Sequence, residues 1–182
     1  QLETTNGTSH GPLLVRLETS DAQIVFAQEH HLVDAAMLQR SAQRSGYHVA
    51  FTPAVPTGKG GTSAGTAVLA KSQIGMRKAA LPGLIDGWTV VNSQGRCTVA
   101  KILSGLKGGW LAFSLYLHTS LAPDHPLNWD ILSRIVSIVR ALRLPFVIGG
   151  DWQTTPEGIQ STGFLGQVGG VIKSPADETC YS

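Results

Sequence analysis

Two carboxylates, an amide and a phenol stand out in this 182-residue chain: Asn6, Glu29, Tyr116 and Asp151 each fall in, or at the end of, a run that reads as a β-strand. Neighbouring strands would let these side chains converge at one rim of a sheet structure, the place where a rigid scaffold commonly presents reactive groups. Neither Glu29 nor Asp151 has a Lys or Arg near it in sequence. The pair therefore suits a hard divalent cation such as Mg²⁺, which takes oxygen ligands and keeps several waters. Such an ion polarises a phosphoryl oxygen and helps an activated water attack it. Each residue also has a plainer reading. Glu29 suits a solvated strand end, Tyr116 a core position with its hydroxyl satisfied, and Asn6 a turn. Asp151 suits a turn cap, with Thr154 or Thr155 ahead of Pro156 opening a short helix.

Asp151 ends the most informative stretch, residues 145–157. Phe146, Val147 and Ile148 form a short apolar run that predicts a strand covered on both faces. Gly149 and Gly150 then end it, with backbone freedom and room for a ligand to approach the main chain. Elsewhere, Leu2–Asn6, Gln23–Ala27 and Tyr47–Thr52 read as strands, and Leu13, Leu14 and Leu17 as one face of a helix. A second helix spans Leu32–Ser45, with Met37 in the core and Gly46 at its stop. The stretch Gly58-Lys59-Gly60-Gly61-Thr62-Ser63 lacks the strand–loop–helix setting of a phosphate loop and reads as a mobile surface loop.

Strands at Gly65–Lys71, Trp88–Asn92, Cys97–Leu103 and Trp110–His118, with turns at Ser93–Arg96 and Gly105–Gly109, predict an antiparallel meander. The clearest helix runs over Leu127–Arg143: Ile131, Leu132, Ile135, Ile138, Val139 and Leu142 form one apolar stripe, and Pro145 prevents its continuation. Gln167–Lys173 reads as a last, weaker strand. Strands and helices in this order predict an α/β (α+β) sandwich with sheets in the middle and helices outside.

Composition sets wider limits. Hydrophobic residues make up 42% of the chain and charged residues 14%, a balance of a folded protein rather than a disordered one. The length suits one domain, residues 1–182. A formal net charge of +2 without a Lys/Arg block permits nucleic acid as a partner without indicating it. Two cysteines, Cys97 and Cys180, and no CxxC pair argue against a disulfide framework or a cysteine zinc site. No apolar run is long enough for a membrane span. Asn6-Gly7-Thr8 is formally a glycosylation acceptor, but such triplets arise by chance and nothing in the chain indicates secretion; the compartment stays unknown, with an intracellular one favoured over secretion. The chain begins at Gln1 and stops at Thr179–Ser182 without a helix stop or polar tail, and reads as a segment of something longer.

Taken in order, the strand ends resemble those of the endonuclease/exonuclease/phosphatase superfamily. That family carries an early strand ending in Asn, a strand ending in Gln-Glu, an Asn/Ser-x-Tyr strand and a strand ending in Gly-Asp-x-Asn. The matching residues are Asn6, Ile24–Glu29, Ser114-Leu115-Tyr116 and Val147–Gln153. Thr66–Leu69 after the glycine-rich loop matches a further strand. Gln28-Glu29-His30-His31, the Gly-Gly-Thr-Ser loop and the Leu-His-Thr after Tyr116 resemble retrotransposon-type endonuclease domains in particular.

The resemblance implies a four-layer sandwich of two packed mixed β-sheets flanked by helices, and Mg²⁺- or Mn²⁺-dependent hydrolysis of nucleic-acid phosphodiesters. Glu29 would hold the metal, Asp151 would orient or deprotonate the water, Tyr116 would contact the phosphate, and Asn6 would support the metal end. Gln153 stands where the family has Asn, its amide displaced by a methylene. The family's late Ser-Asp-His has no match among the six histidines, and the last strands of its second sheet are missing. An open sheet edge, or one covered by a protein partner, is the expectation. Two other readings share the fold: a catalytically inactive remnant serving as a structural or binding subunit of a larger assembly, and a small-molecule phosphatase.

Overall fold

The structure is a computed structural model that describes residues 1–5, 13, 17–58, 60–79 and 94–173. In chain order its strands are β1 (Leu2–Thr5), β2 (Ile24–Gln28), β3 (Tyr47–Thr52), β4 (Val55–Pro56), β5 (Thr62–Ser63), β6 (Thr66–Lys71), β7 (Met76–Lys78), β8 (Cys97–Ile102), β9 (Trp110–Tyr116) and β10 (Phe146–Asp151). Among the described residues the helices with defined limits are α1 (Ala35–Arg44), α2 (Pro126–Leu142), α3 (Pro156–Ser161) and α4 (Phe164–Val168), and Leu13 and Leu17 to Thr19 are helical too. Two four-stranded sheets form among the described residues, in the orders β1-β2-β6-β3 and β10-β9-β8-β7. Both are mixed: β1 runs parallel to β2 and β10 parallel to β9, while the other pairs are antiparallel.

Strand alternation sorts the side chains into layers, because successive residues point to opposite faces. Between the sheets lie Ile24 and Phe26 of β2, Ala50 of β3, Val68 and Ala70 of β6, Ala100 and Ile102 of β8 and Ala112 of β9. The intervening residues face outward. Val25, Ala27, Ala67, Leu69 and Tyr47 pack with Leu38 and Ala42 of α1 and with Leu13 and Leu17. On the far side, Val99, Leu111, Phe113 and Leu115 pack against Ile131, Leu132, Ile135 and Val139 of α2. The result is the expected four-layer arrangement of helix, sheet, sheet and helix.

Local chemistry sets the helix ends. The Asp34 carboxylate accepts the Ala36 N–H at 2.8 Å and starts α1. His125 caps α2 ahead of Pro126, and Arg143, in the left-handed region at φ 51°, closes it. Residue 145 is then the proline that bars another turn.

Several expectations need correction. Met37 is 41% exposed rather than core, because Leu38 and Ala42 already fill the face of α1 turned to the sheet. The meander is β7–β8–β9, since β6 joins the first sheet between β2 and β3; residues 88–92 lie outside those described. The glycine-rich loop is in part a ribbon in which Val55 pairs with Ser63 and Pro56 with Thr62. No strand forms at Gln167–Lys173: α4 ends at Val168 and the chain continues irregularly. β10 is half-buried along its whole length rather than covered on both faces, because it pairs only with β9 and forms a sheet edge among the described residues.

The paired glycines of β10 also serve a purpose other than the expected one. A Cβ on Gly149 would run into the ring of Phe26 on the facing sheet, and a Cβ on Gly150 would run into the carbonyl of Leu115 on β9. The space they leave is filled by the protein, not open to a ligand. Gly149→Ala should therefore destabilise the fold by about 1–3 kcal/mol, as overpacked cores do. Gly150→Ala should cost more, because a backbone carbonyl yields less than a side chain. Urea midpoints checked against the parent protein test this order; a neutral Gly150→Ala would contradict it.

Candidate active site

Three strands deliver polar groups to the same rim. β9 ends at Tyr116 and β10 at Asp151, and these two are register partners. The Leu117 N–H donates to the Asp151 carbonyl at 3.1 Å, and the Tyr116 N–H to the Arg96 carbonyl at 2.9 Å. From the other sheet, β2 ends at Gln28, and Glu29 turns out of the strand at φ 53°. That left-handed conformation costs a non-glycine residue about 1–2 kcal/mol, and here it ends the strand at the carboxylate. The Tyr116 hydroxyl donates to Glu29 Oε1 at 2.5 Å, a bond that spans the two sheets. Tyr116 is thus the common neighbour of both carboxylates, one by side chain and the other by register.

Burial, followed by the bond to Glu29, raises the Tyr116 pKa. The phenol therefore keeps its proton at neutral pH and serves as a donor. Thr119 Oγ1 lies 3.2 Å from the same hydroxyl. The Arg96 guanidinium sits 4.7 Å from the centre of the Tyr116 ring and donates to the Leu117 carbonyl at 3.2 Å. Burial lowers its pKa, and Tyr116 and Glu29 oppose that shift. Arginine remains cationic regardless, so this rim holds one positive charge beside its carboxylate.

Asp151 Oδ1 accepts the Gln153 N–H at 3.1 Å, and Oδ2 accepts Gln153 Nε2 at 2.5 Å. Gln153 takes φ 52°, and its longer stem lets the amide fold back on the carboxylate two residues earlier. The plainer reading of this stretch holds as well. Thr155 caps α3 by accepting the Gly158 N–H at 3.3 Å, with Pro156 in the first turn. Asn6 lies outside the described residues; it follows Thr5, whose register partner is Ala27.

Sequence reasoning missed Arg96, Thr119 and Asn128. Asn128, buried in α2, accepts the His118 N–H at 2.7 Å and donates to the Ala122 and Leu121 carbonyls at 3.0 and 3.3 Å. It thereby fixes the turn that follows Tyr116. Only an asparagine on the otherwise apolar side of α2 signalled this. Arg96 sits after a turn and outside any periodic pattern, so nothing local marked it.

Among the described residues, no three His, Cys, Asp or Glu side chains gather as a metal cage. This donor set does not fit a closed zinc site. Two half-buried carboxylates, Glu29 and Asp151, are compatible in donor type with Mg²⁺, which is held by one or two carboxylates and retains its waters. Among the described residues, no helix is long and apolar enough to cross a membrane.

No family model matches the chain, and no curated protein matches it in sequence. Solved structures do match. A 3′ phosphatase from Neisseria bound to product DNA hairpin aligns with a TM-score of 0.58 and 21% identity over 84% of this chain. The 3′-5′ exonuclease from Neisseria meningitidis gives 0.57 and 22% over 84%. The AP endonuclease from Leishmania major gives 0.60 and 14% over 91%. At such identities the likeness is one of fold: the chain shares the layered α/β sandwich of these phosphatase, exonuclease and AP endonuclease structures. The chain spans 57% of the length of each Neisseria structure and 65% of the Leishmania one.

Next to Glu29, His30 is fully buried. Its ring stacks on Phe51 at 4.8 Å, leaves no room for a Cβ on Gly65, and accepts the Leu32 N–H at Nδ1 over 3.1 Å. Burial pushes its pKa down from 6.5 to about 4. The unfolded chain therefore takes up this proton first as pH falls. The stability that neutral, buried His30 contributes is fully present above pH 6.5 and is lost between 6.5 and about 4, on the order of 3 kcal/mol in all. Urea midpoints should drop from pH 7 to pH 4.5 in the parent and much less steeply in His30→Asn, whatever its absolute stability. Equal slopes would rule out His30 as the source.

Proposed function

We propose that this chain carries the active rim of a Mg²⁺- or Mn²⁺-dependent phosphodiesterase acting on nucleic acid, DNA in the first instance. The observation that carries the reading is the meeting of Glu29 and Tyr116 across the sheets at 2.5 Å, with Asp151 opposite Tyr116 in register. The fold shared with exonuclease and AP endonuclease structures supports it.

Glu29 would hold the metal through the carboxylate oxygen that Tyr116 leaves free. When bound, the ion would polarise a phosphoryl oxygen and ease deprotonation of a water. Asp151 orients the attacking water by accepting its hydrogen bond, and the Gln153 amide holds that carboxylate in one rotamer. The water oxygen bonds to phosphorus and gives a proton to Asp151 as the P–O bond to the leaving group breaks, and the departing alkoxide takes a proton from solvent. Tyr116, kept protonated, exchanges Glu29 for a non-bridging phosphate oxygen and donates to it. Arg96 adds positive charge where the phosphate arrives, and donors placed at developing charge are worth several kcal/mol in such sites. By the resemblance, Asn6 would support the metal end of the site.

With a formal net charge of only +2, nucleic-acid affinity should be modest and should fall as salt rises. DNA cleavage is expected to require Mg²⁺ or Mn²⁺ and to stop on chelation. Glu29→Ala and Asp151→Ala should each slow it about 100-fold or more, the scale of losing an acid–base or positioning group. A purified chain whose rate is the same in parent and both variants would sink the proposal.

A further inference from the structure

We propose that Gln28 and Ser114 are positioning residues, whose hydrogen bond between the sheets sets the height at which Glu29 and Tyr116 meet. The inference rests on the phosphodiesterase reading for its consequence, though not for its geometry. Gln28 immediately precedes Glu29, and Ser114 lies two residues before Tyr116 on the same face of β9. Both are fully buried. Gln28 Nε2 donates to Ser114 Oγ at 2.8 Å, and Ser114 Oγ donates in turn to the Ala27 carbonyl at 2.9 Å. One hydroxyl thus ties down a side chain and a backbone group of consecutive residues on the strand that delivers Glu29.

The surroundings explain why such a tie matters. Thr98 of β8 makes a second tie between the sheets, to the Thr52 hydroxyl and the Thr66 carbonyl, two strands away from Glu29; beside β2 and β9 themselves the interface is Phe26, Val68, Ala50, Ala100, Ala112 and Val147. Apolar contact of this kind is non-directional, so it holds the sheets together without choosing their offset along the strands. Hydrogen bonds have narrow ranges of distance and angle and do choose it. Gln28 is also costly as a purely stabilising residue: its Oε1 is buried with no partner among the described residues, and an unmet acceptor offsets much of what a neutral hydrogen bond contributes. A residue that adds little stability but one fixed distance, one step before the metal-holding carboxylate, is placed to control the site's geometry.

The test uses Gln28→Met, which keeps length and apolar bulk while removing the amide, together with Ser114→Ala and the double variant in the same 182-residue chain. Parent and variants would be compared for urea stability, for kcat and KM on a DNA duplex with Mg²⁺, and for the ¹³Cζ chemical shift of Tyr116 at pH 7, which reports its bond to Glu29. Each single variant should lower kcat about 10-fold or more, since displacements near 1 Å cost about 100-fold. KM should stay within about 3-fold, and the Tyr116 shift should move toward that of a solvated tyrosine. The double variant should be no worse than the worse single, as expected for partners in one interaction. The proposal is overturned if the Tyr116 shift and kcat stay at parent values while only stability changes, or if the two losses add. If even the parent cleaves nothing, the phosphodiesterase reading fails by itself, and the Tyr116 shift still decides the positioning role. Should Ser114→Ala not fold, Gln28→Met alone gives the kcat and shift comparison.

Discussion

Between the two sheets, small side chains and one large ring leave room for a row of polar residues at a single level. Gln28, Thr66 and Thr52 are successive register partners across the first sheet, and Thr98 and Ser114 are partners in the second. The two rows bond to each other: Gln28 to Ser114 at 2.8 Å, Thr98 to Thr52 at 2.7 Å, and Thr98 to the Thr66 carbonyl at 2.7 Å. All five residues are fully buried. Hydroxyls and amides removed from water favour pairing with one another, and apart from the Gln28 Oε1 the row is paired in this relative position of the sheets.

One rung inward, the interface is apolar, with Phe26 and Val68 facing Ala112, Ala100 and Val147. One rung outward, it opens to Tyr116, Asp151 and Glu29. The sandwich therefore grades from oil to hydrogen bonds to exposed ionisable groups along its strands. Gly149 belongs to the same gradient. It leaves space for Phe26, and the β9/β10 register sets Asp151 opposite Tyr116.

Backbone strain gathers where the strands end. Glu29, His31 and Gln153 take left-handed φ values of 53°, 57° and 52°, a conformation uncommon for residues with side chains and held only where the surroundings over-determine it. Glu29 is fixed by Tyr116, and Gln153 by its two bonds to Asp151. His31 is fixed by the Thr62 hydroxyl, which donates to its carbonyl at 2.8 Å. Each strained turn lies beside a group assigned to the site.

Much of this was legible in the chain. Short apolar runs at Ile24–Gln28 and Trp110–Tyr116, the apolar stripe of α2, and carboxylates at strand ends are local patterns, governed by the geometry of single elements. They determined the layers, most strand limits and the candidacy of Glu29, Tyr116 and Asp151. What tertiary structure alone decided is which polar residues meet. Gln28 and Ser114 stand 86 positions apart, and Glu29 and Tyr116 stand 87 apart. No periodicity encodes such partnerships, because they follow from how two sheets slide into contact. The same holds for β10. Its residues read as a central strand, yet coverage depends on neighbours elsewhere in the chain, and its glycines serve Phe26 and Leu115 rather than a ligand.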